Sequence, residues 1–250
     1  MADLRASGLG GVPKGQTADR PSSPSIGDVF YNGTLGRLEM YTSVGWMAVN
    51  SAVQTPTGIT ATNQGTGRAY NNGQASISFT PSTSGGLATT YTVTSSPGSY
   101  TATGSSSPIT ITGLQSNTEY TYTIVASNDY GTSSTSSASS SVTATTVPQA
   151  PSITAVAGNA QADITITPGN NGGASVTQYT ITSNPTTTTQ TTSNTSYTFT
   201  GLTNLTAYTF TVTATNANGT STASSASNSV TPNASFTVDY LVVEIGRAHV

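Results

Sequence analysis

The sequence contains one stretch twice, and this repeat constrains the fold more than any other feature. Ile111–Gly131 and Phe199–Gly219 align without a gap: a Gly-Leu pair, a tyrosine and a closing glycine recur in the same order. The copies are about 88 residues apart, which is too long for a solenoid unit and suits a small domain. The sequence therefore predicts two consecutive domains of the same fold.

Apolar and polar side chains alternate after the tyrosine of each copy. A period of two is the signature of a half-buried β-strand. The Gly-Leu pair before the strand predicts a corner with Leu114 or Leu202 in the core. Tyr120 and Tyr208 are expected to bond their hydroxyls to the corner backbone, as in a tyrosine corner; a ligand-binding role is the alternative for them. The residues expected on the buried face are Tyr120, Tyr122, Ile124 and Ala126, and in the second copy Tyr208, Phe210, Val212 and Ala214.

The full pattern, Gly-Leu-x5-Tyr-x-aromatic-x-apolar-x-Ala-x-Asn ending in Gly, resembles the E–F corner and F strand of fibronectin type III domains. The resemblance covers about residues 54–232. It implies an all-β chain with two tandem immunoglobulin-like β-sandwiches, at residues 54–147 and 148–232, after a small β-meander. The family usually has a tryptophan on strand B, whereas Phe79 and Ile166 stand there in this sequence, which implies a smaller core.

The first domain has a long loop, Asn63–Gln74, between its first two strands. It holds Arg68 and Tyr70, and an arginine beside a tyrosine suits stacking on a sugar or on a partner's ring; an ordinary surface loop is the alternative. The resemblance places the other strands of the two domains at Ala75–Thr80 and Ala162–Thr167 (B), Tyr91–Val93 and Tyr179–Ile181 (C), Ile109–Ile111 and Tyr197–Phe199 (E), and Ser140–Ala144 and Ser227–Thr231 (G).

Residues 20–51 differ in character from the repeats, because they are rich in aromatic and charged residues. Gly27–Asn32, Arg37–Tyr41 and Trp46–Val49 predict the three strands of the meander. About 30 residues cannot bury much of a core alone. We therefore expect this segment either to pack on a neighbouring part of the chain or to form a homotrimer.

The segment reads R-P-x-x-P-x-x-G-D-x-F-Y-N-x-x-x-G-R-L-E-x-Y-T-S-x-G-W from Arg20 onward. It resembles a short module in structural and tail-fibre-like proteins of tailed bacteriophages, especially marine phages. Asp28, Arg37 and Glu39 are expected on a solvated hairpin face. Trp46 is expected in the core or a subunit interface, with a platform for a sugar ring as the alternative.

The two ends of the chain carry weaker signals. Residues 1–19 suggest an irregular N-terminal arm, and residues 233–250 the start of a truncated C-terminal module. Asp239–Val243 resembles the start of a glycine-rich terminal module in phage and bacterial surface proteins. The last seven residues, Glu244–Val250, resemble the translation of a sequencing-library adapter. We therefore expect them to be artefactual and the natural sequence to diverge near Val243; a genuine short strand end is the alternative.

Composition argues against several classes of function. Charged residues make up 6%, the net charge is -3 and there is no cysteine, so we expect no nucleic-acid or anionic-membrane partner and no disulfide. No stretch approaches the roughly 20 apolar residues of a membrane span, and the N-terminus lacks the pattern of a secretory signal.

Catalytic groups are equally scarce. The single histidine is His249, which excludes Ser-His-Asp and histidine metal sites in the rest of the chain. Glu119 and Asp129 stand at opposite ends of one predicted strand, roughly 30 Å apart, too far for a glycosidase pair. We therefore predict no enzyme, no cofactor and no metal.

Together these features predict a non-enzymatic structural or adhesive virion protein of tail-fibre or appendage type. Its fibronectin type III domains would act as spacers and make weak contacts with host-surface glycans. Other virion proteins would be its partners. The alternatives are an accessory spacer region of a secreted bacterial polysaccharide-degrading enzyme and a bacterial surface adhesin, which would place the chain outside the cell or on its surface.

Overall fold

The computed structural model describes residues 14–35, 37–43, 45–49 and 51–234. The regular structure in these ranges consists of β-strands and one short 3-10 turn. The chain divides into two compact units, one ending at Val147 and the other beginning at Pro148, while the short segment Gly172–Ala174 groups with the first unit. The expectations for most of the N-terminal arm and for everything beyond residue 234 lie outside the described residues.

A small sheet, here called the N-terminal module (residues 14–51), begins the first unit. The last three of its strands form an antiparallel meander, as the sequence predicts, and the first pairs in parallel with the second. The two-residue first strand was not predicted, because two residues show no periodicity. The strands are β1 (Lys14–Gly15), β2 (Val29–Asn32), β3 (Arg37–Thr42) and β4 (Gly45–Ala48).

The module packs on the domain that follows it through backbone contacts. The N–H of Ala48 donates to the carbonyl of Gly85 at 2.8 Å, and the N–H of Gly86 donates to the carbonyl of Ala52, the residue that follows the module, at 3.2 Å. Gly85 has a φ of 77°, and a Cβ there would lie 2.7 Å from the carbonyl oxygen of Ala52, so only glycine fits. Of the two expected outcomes, packing on a neighbour is the one observed; trimer formation stays a prediction.

The first domain is a β-sandwich of two antiparallel sheets. One sheet has the order β5-β6-β9 and the other β11-β10-β7-β8, with β12 pairing separately with β10. Its strands are β5 (Thr57–Asn63), β6 (Gly73–Thr80), β7 (Thr90–Ser96), β8 (Thr101–Gly104), β9 (Ile109–Leu114), β10 (Thr118–Asn128), β11 (Gly131–Thr132) and β12 (Val142–Ala144).

The second domain has the same arrangement, with sheets β13-β14-β17 and β16-β15-β18-β19. The all-β fold with two tandem immunoglobulin-like sandwiches is therefore confirmed. Its strands are β13 (Ser152–Ala157), β14 (Gln161–Thr167), β15 (Gln178–Asn184), β16 (Gln190–Thr192), β17 (Ser196–Thr200), β18 (Thr209–Asn216) and β19 (Gly219–Thr220).

The alternating residues of β10 and β18 form the centre of each core. All eight side chains expected on this face are buried. Each large apolar side chain removed from water contributes about 1.5–3 kcal/mol to folding. Aromatic contacts join the sheets within each domain: the Phe79 and Tyr91 rings lie 4.7 Å apart, and those of Phe199 and Phe210 lie 5.1 Å apart.

Two expectations about segment boundaries are wrong. The long loop of the first domain spans only residues 64–72, since Asn63 ends β5 and Gly73 begins β6. The G strands are also shorter than expected: β12 covers only Val142–Ala144, and in the second domain Ser227–Thr231 contributes a single bridge between Tyr208 and Val230. The preceding serine-rich segments pair with β10 and β18 in a different way, described below.

Tyr122 is a point of difference between the two otherwise matching cores. Its hydroxyl is buried and finds no hydrogen-bond partner among the described residues, and Phe210 occupies the matching position in the second domain. Burial, and to a lesser extent the nearby Tyr120, raises the pKa of Tyr122 to about 12. The hydroxyl therefore costs free energy without a compensating bond.

We expect Tyr122→Phe to stabilise the first domain by about 1 kcal/mol at neutral pH, because it removes an unpaired buried hydroxyl. Tyrosine in the unfolded chain has a pKa of about 10. The folded domain thus holds this proton more tightly, and its stability falls as pH rises from the unfolded value through the folded value of about 12. Calorimetry of the unaltered chain and of the Tyr122→Phe variant at neutral and alkaline pH measures this. Equal losses of stability at alkaline pH in the two chains would contradict the prediction.

Candidate functional site

A tyrosine hydroxyl closes the corner before the central strand of each sandwich. In the first domain the backbone N–H of Gln115 donates to the Tyr120 hydroxyl oxygen at 3.0 Å. In the second, the N–H of Thr203 donates to the Tyr208 hydroxyl at 3.2 Å. Both rings are buried, and burial is the main cause that raises the pKa of Tyr120. The geometry assigns these two side chains to holding the corner.

The Gly-Leu pair shapes the same corner. Gly113 and Gly201 have φ values of 78° and 81°. No atom lies within 4 Å of a Cβ built on either glycine, so the backbone conformation, rather than lack of space, requires glycine here. Leu114 and Leu202 are buried beneath the corner. The four residues thus fix where β10 and β18 begin.

We expect Tyr120→Phe and Tyr208→Phe each to destabilise its own domain by about 1–3 kcal/mol, because the backbone N–H at the corner loses its hydrogen bond to the buried tyrosine. Calorimetry of the full chain should show one transition lowered in each variant and the other retained. The effect of Tyr120→Phe is opposite in sign to that of Tyr122→Phe, two residues away in the same core. Two unchanged transitions in either corner variant would contradict the role of the hydroxyl.

Serines at every third position replace a regular strand beside β10 and β18; we call this set the serine ladder. In the first rung of the first domain, the N–H of Ser133 donates to the carbonyl of Ala126 at 2.8 Å, and its hydroxyl accepts from the N–H of Ala126 at 3.0 Å. The hydroxyl then donates to the carbonyl of Ser134 at 2.8 Å. The rungs are Ser133, Ser136 and Ser139 in the first domain and Ser221, Ser224 and Ser227 in the second.

The side-chain oxygen of each rung takes the place of a strand carbonyl. Successive rungs bond to residues two apart on β10, which are about 6.8 Å apart along a strand. Three residues of the ladder therefore span the length of two residues of β10. Each ladder residue advances about 2.3 Å along the strand direction, whereas a residue of an antiparallel strand advances about 3.4 Å. The sequence signal is Ser-x-x-Ser-x-x-Ser, present in both copies at the same offset, but the alternation used to find strands does not detect a period of three.

We expect Ser136→Ala to destabilise the first domain by about 1–3 kcal/mol, because the buried N–H of Ile124 loses its acceptor. Ser137→Ala is the matched control, since that neighbouring side chain is exposed and should change stability by less than about 0.5 kcal/mol. Thermal unfolding of the full chain measures both. Equal effects would show that the hydroxyl of Ser136 has no special part in the ladder.

A fully buried carboxylate holds the N-terminal module together. The guanidinium of Arg20 bonds both oxygens of Glu39, at 2.9 and 2.8 Å. Arg37 Nε donates to Oε1 at 3.0 Å, and Asn32 Nδ2 donates to Oε2 at 3.0 Å. The expectation that Arg37 and Glu39 lie on a solvated face is wrong for Glu39, which is 0% exposed. Asp28 is half-buried and accepts the N–H of Ser25 at 2.9 Å.

Glu39 is buried because it lies on the same face of the sheet as its buried cross-strand neighbours. It stands opposite Phe30 on one side and Ala48 on the other, both buried. Burial by itself raises the pKa of Glu39, but bonds from Asn32 and the two arginines, with the charge of Arg20, outweigh it and hold the pKa below its usual value. The carboxylate is therefore charged and fully bonded.

We expect Glu39→Gln to destabilise the module by about 3–5 kcal/mol, because two arginines lose their shared partner. Trp46, the only tryptophan in the chain, packs 5.9 Å from Phe30, so its fluorescence reports on the module. Since folding lowers the pKa of Glu39, this stabilisation should be lost as pH falls below about 4.3. Glu119→Gln, at an exposed position, is the control; a Glu39 variant as stable as this control would contradict the role.

The remaining surface candidates do not come together. The loop of residues 64–72 holds Arg68 and Tyr70, both half-buried, and Arg68 Nε donates to the Asn72 carbonyl at 2.9 Å. Trp46 is half-buried on β4, with its ring 5.5 Å from that of Tyr41. A contact of Arg68 or Tyr70 with a sugar stays a prediction.

Two further searches are limited to the part of the chain that the structure describes. There, no three acidic, histidine or cysteine side chains lie together as metal ligands would. No described helix has the length and hydrophobicity to cross a membrane.

Two consecutive sandwiches with matching sheet orders and a corner tyrosine in each define a class of tandem immunoglobulin-like protein. A family model described as "Fibronectin type III domain" matches residues 55–143 and 146–230. This is more than half of the sequence, so the chain belongs to the fibronectin type III family. No curated protein matches it.

Three solved structures are similar to this chain at low identity. "Titin kinase and its flanking domains" is 24% identical with a TM-score of 0.32, and the match covers 34% of this chain and 17% of that one. The FN1-FN3 domains of chicken CNTN1 are 19% identical, with a TM-score of 0.43 and coverages of 70% and 65%. Domains A168-A170 from titin are 17% identical, with a TM-score of 0.37 and coverages of 78% and 73%. The chain thus spans less than two thirds of the first two structures.

Proposed function

We propose that this chain is a structural virion protein of tail-fibre or appendage type, whose fibronectin type III domains act as spacers and make weak contacts with host-surface glycans. Tandem domains of this family are typical spacer and adhesive modules and are generally non-catalytic. The proposal places the chain in the virion, with other virion proteins as its partners. The N-terminal module attaches it, and identical copies associate there as a trimer.

The observation that carries the proposal is the N-terminal module. Seven of the residues behind its resemblance to phage structural proteins form two groups of contacting side chains within it. The polar members meet at one buried carboxylate, and the aromatic members pack around Trp46. The motif therefore specifies a folded unit, which supports treating the resemblance as one of structure. These residues are Arg20, Asn32, Arg37 and Glu39 in the polar group and Phe30, Tyr41 and Trp46 in the aromatic group.

The surface chemistry of the two sandwiches supports weak glycan contacts. Between residues 51 and 234 the only charged residues are Arg68, Glu119, Asp129 and Asp163. Hydroxyl and amide groups dominate, and these bond neutral sugars without long-range charge attraction. Adhesion by such a surface is nearly independent of salt, whereas charge-driven adhesion weakens as salt screens it. Many copies on one particle raise the overall binding strength of weak individual contacts.

The test is immuno-electron microscopy with antibodies against the recombinant chain, applied to particles and cells from the source sample. Gold label on phage tails or appendages is the expected result. Label on cell envelopes without particles would instead identify a bacterial adhesin. Label confined to secreted protein, together with a catalytic domain in a long sequencing read through the locus, would identify a spacer region of an enzyme. Either of these results overturns the proposal.

A further inference from the structure

The N-terminal module and the first domain enclose a cleft of about 210 Å³ on the side of the turn after β10. Met40 and Met47 of the module form one wall. Leu87 and the turn residues Asp129 and Tyr130 form the other. Module and domain belong to one compact unit, so the cleft is part of a single folded body.

We propose that this cleft binds one neutral hexose ring of a surface polysaccharide. The inference rests on the proposed function, because it names a site for the glycan contacts. Tyr130 is 58% exposed, and its ring offers an apolar face for the C–H face of a pyranose. Asp129 is exposed, and none of the described residues bonds its carboxylate, so it is free to accept bonds from sugar hydroxyls. Such charge-assisted bonds are about twice as strong as neutral ones.

The second domain shows that the turn does not need these two side chains for folding. In the first domain the N–H of Tyr130 donates to Asn128 Oδ1 at 3.0 Å, and in the second the N–H of Asn218 donates to Asn216 Oδ1 at 2.8 Å. The turn reads Asn-Asp-Tyr-Gly in one copy and Asn-Ala-Asn-Gly in the other. The aspartate and the tyrosine occur only where the module supplies an opposite wall.

Charge and size select the ligand. Asp129 carries the only charge among the described residues that line the cleft, so uronic acids and other acidic sugars are repelled. The volume of about 210 Å³ lies below the roughly 300–1,000 Å³ of sites for drug-sized ligands, which suits one ring. The side-chain amide of Asn128 is already bonded within the protein and does not bind the sugar. Its Nδ2 donates to the carbonyls of Ser51 at 2.9 Å and Leu87 at 3.2 Å.

The test is an NMR titration of the isotope-labelled full chain with methyl glucoside, methyl mannoside and methyl galactoside. Methyl glucuronide serves as the acidic probe and n-butylammonium as a cationic one. We expect at least one neutral hexoside to shift the resonances of Met47, Leu87 and Tyr130. Its dissociation constant should be on the order of 1 mM, as for a ligand of about 13 non-hydrogen atoms. The glucuronide should bind about tenfold more weakly or not at all.

The double variant Asp129→Ala/Tyr130→Asn gives the first domain the turn that the second domain already carries. It should retain both melting transitions and weaken hexoside binding by about tenfold or more. Tyr130→Phe is the matched control, because it keeps the ring and should bind within about threefold of the unaltered chain. Binding of the double variant at full strength, hexoside shifts confined to other residues, no hexoside shifts at all, or saturation by the amine in place of the hexosides would each overturn the inference.

The outcomes separate this inference from the proposed function. Antibody label on phage tails without hexoside binding in the cleft would overturn the sugar site and leave the virion role standing. Hexoside binding in the cleft with label on cell envelopes would overturn the virion role and leave the sugar site standing.

Discussion

Every buried backbone group must find a hydrogen-bond partner, and in both sandwiches this requirement centres on one strand. The inner face of β10 carries the largest buried side chains, its start is fixed by the hydroxyl of Tyr120, and its outer edge is bonded by the serine ladder. In the second domain, the hydroxyl of Tyr208 and the serine ladder fix the start and the outer edge of β18 in the same way. A chain with 6% charged residues and no cysteine thus relies on packing and hydroxyl bonds, which explains where part of its abundant serine is used.

Much of the fold follows from local sequence. The period-two pattern from Tyr120 to Ala126 and the Gly-Leu pair at Leu114 predicted the central strand and its corner, because each reflects a backbone geometry that few sequences fit. The sandwich itself was expected from the resemblance to fibronectin type III domains. The serine ladder was missed, because a side-chain oxygen there does the work of a carbonyl. Its three-residue spacing resembles low-complexity composition, and the G strands were expected only from Ser140 and Ser227 onward.

Long-range packing explains the other difference. Charged side chains are usually solvated, and the partner that makes burial of Glu39 favourable, Arg20, lies 19 residues away in sequence. No local spacing reveals this pair. The cleft depends on long-range packing too, since Met47 of the module and Tyr130 of the first domain line it together. The charges of the module therefore act in folding, whereas Asp129 of the neighbouring domain is left exposed.

The geometry of the serine ladder also affects how copies of these domains behave beside one another. An open sheet edge is a template on which a strand from another molecule can grow, and many proteins prevent this with charged residues at the edge. Here the edge beyond β10 is lined by a segment that advances about 2.3 Å per residue. An incoming strand would fall out of register with it after one or two residues. On this side, the difference in spacing per residue between the ladder and a regular strand thus protects crowded domains from aggregation. Charged residues, which are scarce on their surfaces, are not needed for this protection.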